Sequence, residues 1–543
     1  MARRWVAASF ASLGLLLVGC TAGANNGTTP SGEATGPVVT TALPAANGDI
    51  ETLNWGLPGG EPPTLDPPNA ASTTMALVAT QLCEPVVRIK PDYSIEPYLV
   101  DFDQVDPLTL KLTLVADATF WDGSPVTVDD IVYSMNRTMN PDAILSYLYG
   151  SVKSITKTDA KTITVKFNEP DELFIKAIGG GAGMVVQKKF AEAAGDKFGK
   201  PGEQLMCSGP FKLQSWKVGQ SITLERNENF WNDEYRAHAK TVNLRFISDS
   251  TTLAQALKTG EIDGAYEVPT ALIPGLQGSQ TGSVYFGGGP LSYGLSWAND
   301  KAPLSDPKLR QAIYIATDRE ALAQTVFQGS AQASYTLIFE GTWDYDAIDQ
   351  WKEAEKPFRE TNAFNLDKAK QLVAESAYKG QELVLTTQAG DETMSQVAQY
   401  IQQQAAAIGV TITINPVQPV DYATQGYDAE ARKGTDILIG PSYNGYRDPM
   451  EGIGYTFEKD GEYNYTNYDN PEVNRLLAEA RQTFDTPTRV SLLTQAQTIY
   501  EPDYPATTLL STYVVSYLDS DLTGMITAFS YTRNPSLALI GAK

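Results

Sequence analysis

Apolar residues recur along this chain with two different periods, and the two periods alternate. Leu110, Leu112 and Leu114 keep a spacing of two, as do Ile163, Val165 and Phe167, and Val410, Ile412 and Ile414, so each set predicts a strand with one buried face. Helical spacing follows residues that start helices. Thr127-Val128-Asp129-Asp130 reads as a capping box ahead of Ile131, Val132 and Met135. Asp306-Pro307 places an N-cap and a first-turn proline before Leu309, Ala312, Ile313 and Ala316, and Asn470-Pro471 repeats the device before Val473, Leu476, Leu477 and Ala480. A further helix runs from about Thr393 through Val397, Ile401 and Ala405, stops at Gly409 and hands over to the strand beginning at Val410. A helix passing to a strand through one glycine marks an α/β architecture. Glycine and proline clusters near Glu84-Pro85, Ser208-Gly209-Pro210, Gly287-Gly288-Gly289-Pro290 and Tyr504-Pro505 mark joints, and no repeat of fixed period is present.

The N-terminal pattern is different in kind. Arg3 and Arg4 precede an apolar run from Trp5 to Val18, which ends at Gly19-Cys20. The run is shorter than the roughly 20 residues needed to cross a bilayer, and its flanks are those of a bacterial secretory signal ending in a lipobox. Residues 1–19 are therefore expected to be a lipoprotein signal peptide, with Cys20 carrying the lipid; the alternative is a plain signal peptide with an incidental cysteine. From Thr21 to Asp49 the only charge before Asp49 is Glu33, among Thr, Gly, Ala, Asn, Pro and Ser. Residues 20–47 are expected to form a flexible tether, because they hold too little apolar surface to offset ordering.

Charge and composition narrow the chemistry. The net charge is −23, and loss of Arg3 and Arg4 with the signal leaves 39 basic against 64 acidic residues, about −25. No basic block is present, so nucleic acid is excluded as an expected partner. The chain holds one histidine, His238, in a polar segment, which leaves a Ser-His-Asp triad without a second candidate base. Gly294-Leu295-Ser296-Trp297-Ala298 lacks the last glycine of a nucleophile elbow. With Cys20 taken by lipid, the one histidine and two cysteines left cannot supply a spaced zinc or copper set, so neither metal nor cofactor is expected. Gly179-Gly180-Gly181-Ala182-Gly183 has the wrong spacing for a dinucleotide fingerprint; it reads as a loop passing close to something, or as a flexible turn. A secreted glycoside hydrolase needs only two carboxylates, for which Asp129/Asp130 and Glu261/Asp263 are candidates, although capping and solvation explain both pairs. With Cys20 lipidated, Cys83 and Cys207 remain as an even pair that can form a disulfide outside the cell.

Several stretches together resemble one family, the extracytoplasmic solute-binding proteins of bacterial ABC importers in the oligopeptide, dipeptide and nickel-chelate class. Pro63-Thr64-Leu65-Asp66-Pro67, Leu82-Cys83-Glu84-Pro85-Val86-Val87-Arg88 and the run Phe120-Trp121-Asp122-Gly123-Ser124-Pro125 to Asp129-Asp130-Ile131 are similar to its successive motifs. Cys207-Ser208-Gly209-Pro210-Phe211, Leu224-Glu225-Arg226-Asn227 with Phe230-Trp231, Gly260-Glu261-Ile262-Asp263, Asp306 to Ala312, Asp318-Arg319, Asp367 to Leu372 and Arg447-Asp448-Pro449 follow in the family's order. Each motif also has a structural meaning: Asp122-Gly123 as a tight turn, Asp306 and Asp318 as helix caps, and Arg226 and Arg310 as partners of buried carboxylates.

The resemblance implies a two-lobed α/β periplasmic-binding-protein-like fold with a hinge and an extra subdomain inserted in lobe one. Lobe one would comprise 48–82, 208–290 and 505–543, the inserted subdomain 83–207, and lobe two 291–504, so Cys83 and Cys207 would clamp the subdomain's two necks. It implies a monomeric, lipid-anchored, non-enzymatic binder outside the cytoplasmic membrane, which captures a small solute and hands it to permease subunits. Peptides are the expected solute, with glycosides, opine-like amines and metal chelates as alternatives. The expected ligand contacts are Ser72, Thr73, Thr74, Tyr293, Trp297, Ser442, Tyr443, Asn444, Tyr446 and Asp448. Ser442 or Tyr443 stands where peptide binders of this family place an acid for the ligand's amine, leaving Asp448 as the nearest acid, either for that amine or as a cap before Pro449.

Overall fold

The computed structural model describes residues 37–457, 461 and 463–543; the apolar run, Cys20 and the first part of the expected tether lie outside the described residues. Two sheets organise the fold. The larger has eight strands in the spatial order Val39–Thr40, Gly282–Gly287, Val514–Asp519, Gly264–Ala265, Ile50–Leu57, Ala239–Phe246, Ser221–Arg226 and Phe211–Lys217. The other has six, ordered Ala331–Ala333, Thr507–Thr512, Leu291–Trp297, Ile437–Tyr443, Leu383–Gln388 and Ile412–Val417. Both sheets contain parallel pairs, Ile50–Leu57 with Ala239–Phe246 and Leu383–Gln388 with Ile412–Val417, the latter joined through the helix Glu392–Ala407. Between Pro85 and Ser208 the chain builds a separate antiparallel sheet of Val100–Asp106, Thr109–Leu114, Thr162–Phe167 and Val152–Lys157.

The chain passes between the two large sheets at 288–290 and again at Tyr513. Gly287 and Gly289 are needed at the first passage, because a Cβ on Gly287 would lie 1.8 Å from the Thr527 carbonyl and one on Gly289 2.4 Å from Phe529 Cβ. The second passage differs from the expected joint at Tyr504-Pro505. Thr507–Thr512 is inserted between Leu291–Trp297 and Ala331–Ala333, so lobe two extends through Thr512 and the Tyr504-Pro505 turn lies inside it. A proline turn and a lobe boundary look alike in sequence; only the strand pairing separates them.

The expected tether also ends earlier than residue 47. Val39–Thr40 pairs in parallel with Phe286 and Gly287, Leu43 N–H donates to Met525 O at 2.8 Å, and Asn47 N–H to Ala542 O at 2.9 Å. An exposed sheet edge supplies backbone bonds that a count of apolar side chains omits. Local punctuation follows the sequence reading: the capping box at Thr127 and Asp130 is formed, Asp306, Asp318 and Asn470 accept first-turn N–H bonds, and Gly409 is left-handed at φ +82°. The two arginines differ from expectation. Arg226 pairs with Asp49 and Glu228 at the surface, and buried Arg310 donates to the carbonyls of Leu304 and Asp503, which close the turns around it.

Buried Glu501 accepts a 2.6 Å bond from Leu337 N–H, and burial pushes its carboxyl up to about 8. The folded value lies above the unfolded one, so the folded state binds more protons and stability falls as pH rises from about 4.5 through about 8. Glu501→Gln, which keeps an acceptor, is expected to be more stable than the parent by an increment that grows across that window to a few kcal/mol. Urea unfolding at several pH values measures it, and an increment independent of pH would rule out the neutral buried acid.

Candidate functional site

Backbone alternation decides which residues of the second lobe reach the space between the sheets. Along Leu291–Trp297, Tyr293 and Trp297 enter the lobe core, whereas Ser292 and Ser296 line a cavity of about 620 Å³. The neighbouring strand Ile437–Tyr443 and the turn after it continue the same wall through Ser442, Tyr443, Asn444 and Tyr446. Lobe one contributes Ser72 and Thr73, at the start of the helix Thr73–Leu82, together with Phe529 and Arg533. Tyr147 reaches the cavity from the segment that carries the four-stranded sheet.

The walls touch across the cavity. Tyr443 Oη donates to Ala71 O at 2.7 Å, its ring lies 5.7 Å from Phe529, and Arg533 Nε donates to Gly445 O at 2.7 Å. Ser72 caps its helix by accepting from Met75 N–H, and Thr73 Oγ1 donates to Glu267 at 2.8 Å. Asn444 Nδ2 donates to Asp448 O at 2.8 Å, which fixes the turn that presents Tyr446. Among the described residues the lining carries two charged side chains, Glu451 and Arg533. Glu451 accepts from Gly445 N–H at 2.7 Å and Tyr446 N–H at 3.0 Å, and burial pushes its carboxyl up to about 7.

Four expected contacts lie elsewhere. Trp297 is fully buried and donates Nε1–H to Tyr504 O at 2.7 Å; Tyr293 packs edge-on to Phe327, 5.3 Å away. Both aromatic side chains occupy the core face of a strand whose cavity face is made of serines. Thr74 is buried with its hydroxyl over Gly59, one residue beyond the turn that faces the cavity. Asp448 is fully buried: Lys176 Nζ donates to Oδ2 at 2.5 Å, and Arg489 Nη2 and Met450 N–H donate to Oδ1 at 2.5 and 2.8 Å. Those bonds hold its carboxyl near pKa 2 and leave it no room for a ligand amine.

The carboxylate pairs considered for hydrolysis are also outside the cavity. Asp129 pairs with Lys157 at 2.6 Å, Asp130 closes the capping box, Glu261 pairs with Arg245 at 2.5 Å, and Asp263 accepts from Asn54 N–H at 2.6 Å. His238 Nδ1 lies 3.1 Å from Asp49 on the surface. Tyr147, Tyr455, Tyr463 and Tyr465 line the cavity without having been singled out. The density of tyrosine between 443 and 468 is the signal that would have found the last three. Cys83 and Cys207 are bonded, with Cα atoms 4.9 Å apart, at the end of the helix that begins with Thr73.

The chain is similar to known proteins along most of its length. Dipeptide-binding protein DppE of Bacillus subtilis (strain 168) is 25% identical over 471 residues, covering 82% of this chain and 84% of that protein. Among solved structures, the ABC transporter substrate-binding protein CtaP of Listeria monocytogenes superposes with a TM-score of 0.77 at 22% identity, over 91% of this chain and 99% of that one. The periplasmic binding protein DppA of Helicobacter pylori, in complex with the peptide STSA, gives 0.75 at 22% identity over 91% and 98%. These likenesses establish the two-lobed binding-protein fold. The family model for bacterial extracellular solute-binding proteins, family 5, matches residues 96–516, and the chain belongs to that family.

Proposed function

We propose that this protein is the lipid-anchored substrate-binding component of an ABC importer, which closes its lobes around a short peptide and presents it to membrane permease subunits. The observation that carries the reading is the cavity itself. It lies between the lobes, bounded by the hydrogen bonds of Tyr443 and Arg533, and its lining mixes hydroxyl, aromatic and aliphatic groups with Glu451 and Arg533 as its charged side chains. Such a surface holds an extended backbone through polar contacts while water fills the side-chain spaces, and its volume is within the roughly 300–1,000 Å³ of small-ligand sites. The relative named for dipeptide binding favours a peptide as the solute. Attachment through Cys20 would keep the binder beside its permease, and binding energy for the closed form would couple capture to delivery.

The homologues are substrate-binding proteins, and the carboxylate pairs lie outside the cavity, so no catalytic role is proposed. Thermal unfolding with tri- and tetrapeptides, and with glycosides as the comparison, tests the reading. Peptides are expected to raise the melting temperature and to be recovered intact. Hydrolysed ligand, or stabilisation by glycosides alone, would overturn it.

A further inference from the structure

Arg533 is half-buried in the cavity wall, and its guanidinium is used at one edge only. Nε donates to Gly445 O at 2.7 Å, while neither Nη atom has an acceptor or an ion-pair partner among the described residues. The surrounding backbone is shaped to it. A Cβ on Gly180 would lie 2.4 Å from Nη1 and 3.0 Å from Cζ, and one on Gly445 would lie 2.7 Å from Nη2. The glycine run 179–183 therefore has a specific neighbour: its second residue admits the guanidinium. Glu451, the other charged group of the lining, is already bonded to two backbone N–H groups. Burial raises its carboxyl to about 7 against the opposing pull of the nearby Arg533 charge, so Glu451 offsets the guanidinium only in part. Asp448, which could have balanced it, is closed off by Lys176 and Arg489.

We infer that Arg533 is the anchor for a carboxylate of the bound solute, taken by the unused Nη1 and Nη2 fork, and that a free carboxylate matters more for recognition here than a free amine. The inference rests on reading this cavity as the solute site. A planar guanidinium pinned at Nε presents two parallel N–H donors, which match the two oxygens of a carboxylate, and the desolvated wall strengthens the pair.

The test compares tripeptide libraries as free acids, as C-terminal amides and as N-acetylated acids, by calorimetric titration into the parent, Arg533→Gln and Gly180→Ala proteins. The parent is expected to bind acids about tenfold or more tighter than amides and to accept N-acetylation with less loss. Arg533→Gln should abolish the preference for acids. Gly180→Ala, which displaces the guanidinium and keeps its charge, should reduce it, and it decides the matter if the Arg533 variant does not fold. Equal binding of acids and amides by the parent, or a preference that survives in both variants, overturns the anchor and leaves the peptide reading standing. If neither library binds, the peptide reading fails. The anchor is then judged on glucuronate and N-(1-carboxyethyl)alanine against their amides, where lack of a carboxylate preference overturns it too.

Discussion

Arg489→Met is expected to destabilise the protein by about 3–5 kcal/mol at neutral pH, with a smaller loss in acid. The guanidinium is fully buried and within 2.5 Å of Asp448, 3.0 Å of Asp344 and 3.4 Å of Glu172. Lys176 is the second cation of the group, 2.5 Å from Asp448 and 2.8 Å from Glu172. Three carboxyls thus face two cations. Asp448 is held low by both, while burial raises Glu172 and Asp344. With Arg489 gone, three acids face Lys176 alone, and their folded pKa values rise above the unfolded ones. The variant then binds more protons folded than unfolded, so its stability falls as pH rises through the carboxylate range. Urea unfolding at about pH 5 and pH 7.5 measures both the loss and its slope. A loss under about 1 kcal/mol, independent of pH, would show that the network contributes little beyond its own desolvation.

The same network fixes how the lobes meet. Glu172 and Lys176 flank Leu173 and Ala177, which pack among Ile338, Trp343, Trp351 and Met450 of the second lobe. Glu172 N–H donates to Arg481 O at 3.1 Å. Asp448 therefore serves the scaffold, and the space left for a ligand's charge is the one beside Arg533.

Sequence periodicity located strands and helices well where one face is buried by neighbours along the same segment. Asp306, Asp318 and Asn470 cap helices because a cap is a local event, settled by residues three positions apart. The site was less legible for the same reason. Tyr293 and Trp297 are large and look like ligand platforms, but period two places both in the core and leaves the small residues Ser292, Gly294 and Ser296 to line the cavity. Asp448 reads as an exposed turn acid until Lys176 and Arg489, 272 and 41 positions away, are brought to it by the fold. Arg533 gave no signal of its own. Its meaning comes from Gly180 and Gly445, two glycines far apart in sequence that the fold sets around one guanidinium. The family motifs located the scaffold because they are the caps and turns that hold it; the residues facing the ligand lie between them.

Replacing both bridged cysteines, Cys83→Ala with Cys207→Ala, is expected to cost about 2–5 kcal/mol, the second of the two large effects. The bonded residues are 124 positions apart, so in the chain-entropy model the unfolded state gains about 4–5 kcal/mol of freedom when the link is cut. Native contacts oppose part of that loss. Gly209 N–H donates to Leu82 O at 2.8 Å and Trp121 N–H to Cys207 O at 3.1 Å, so the two ends of the loop are also held by backbone bonds beside the bridge. Both cysteines are fully buried, and alanine leaves a small void without burying a hydroxyl. Cys83 ends the helix whose first turn carries Ser72 and Thr73, at the opposite end from the cavity. Stability should therefore fall far more than affinity: the melting temperature of the double variant drops, while peptide affinity measured well below it stays within about threefold of the parent, under 1 kcal/mol. Mass-spectrometric mapping of the denatured, unreduced parent should find neither Cys83 nor Cys207 alkylated. Alkylation of both, or a double variant as stable as the parent, would remove the bridge from the account of stability, and a large loss of affinity at low temperature would show that the helix passes the strain on to Ser72 and Thr73.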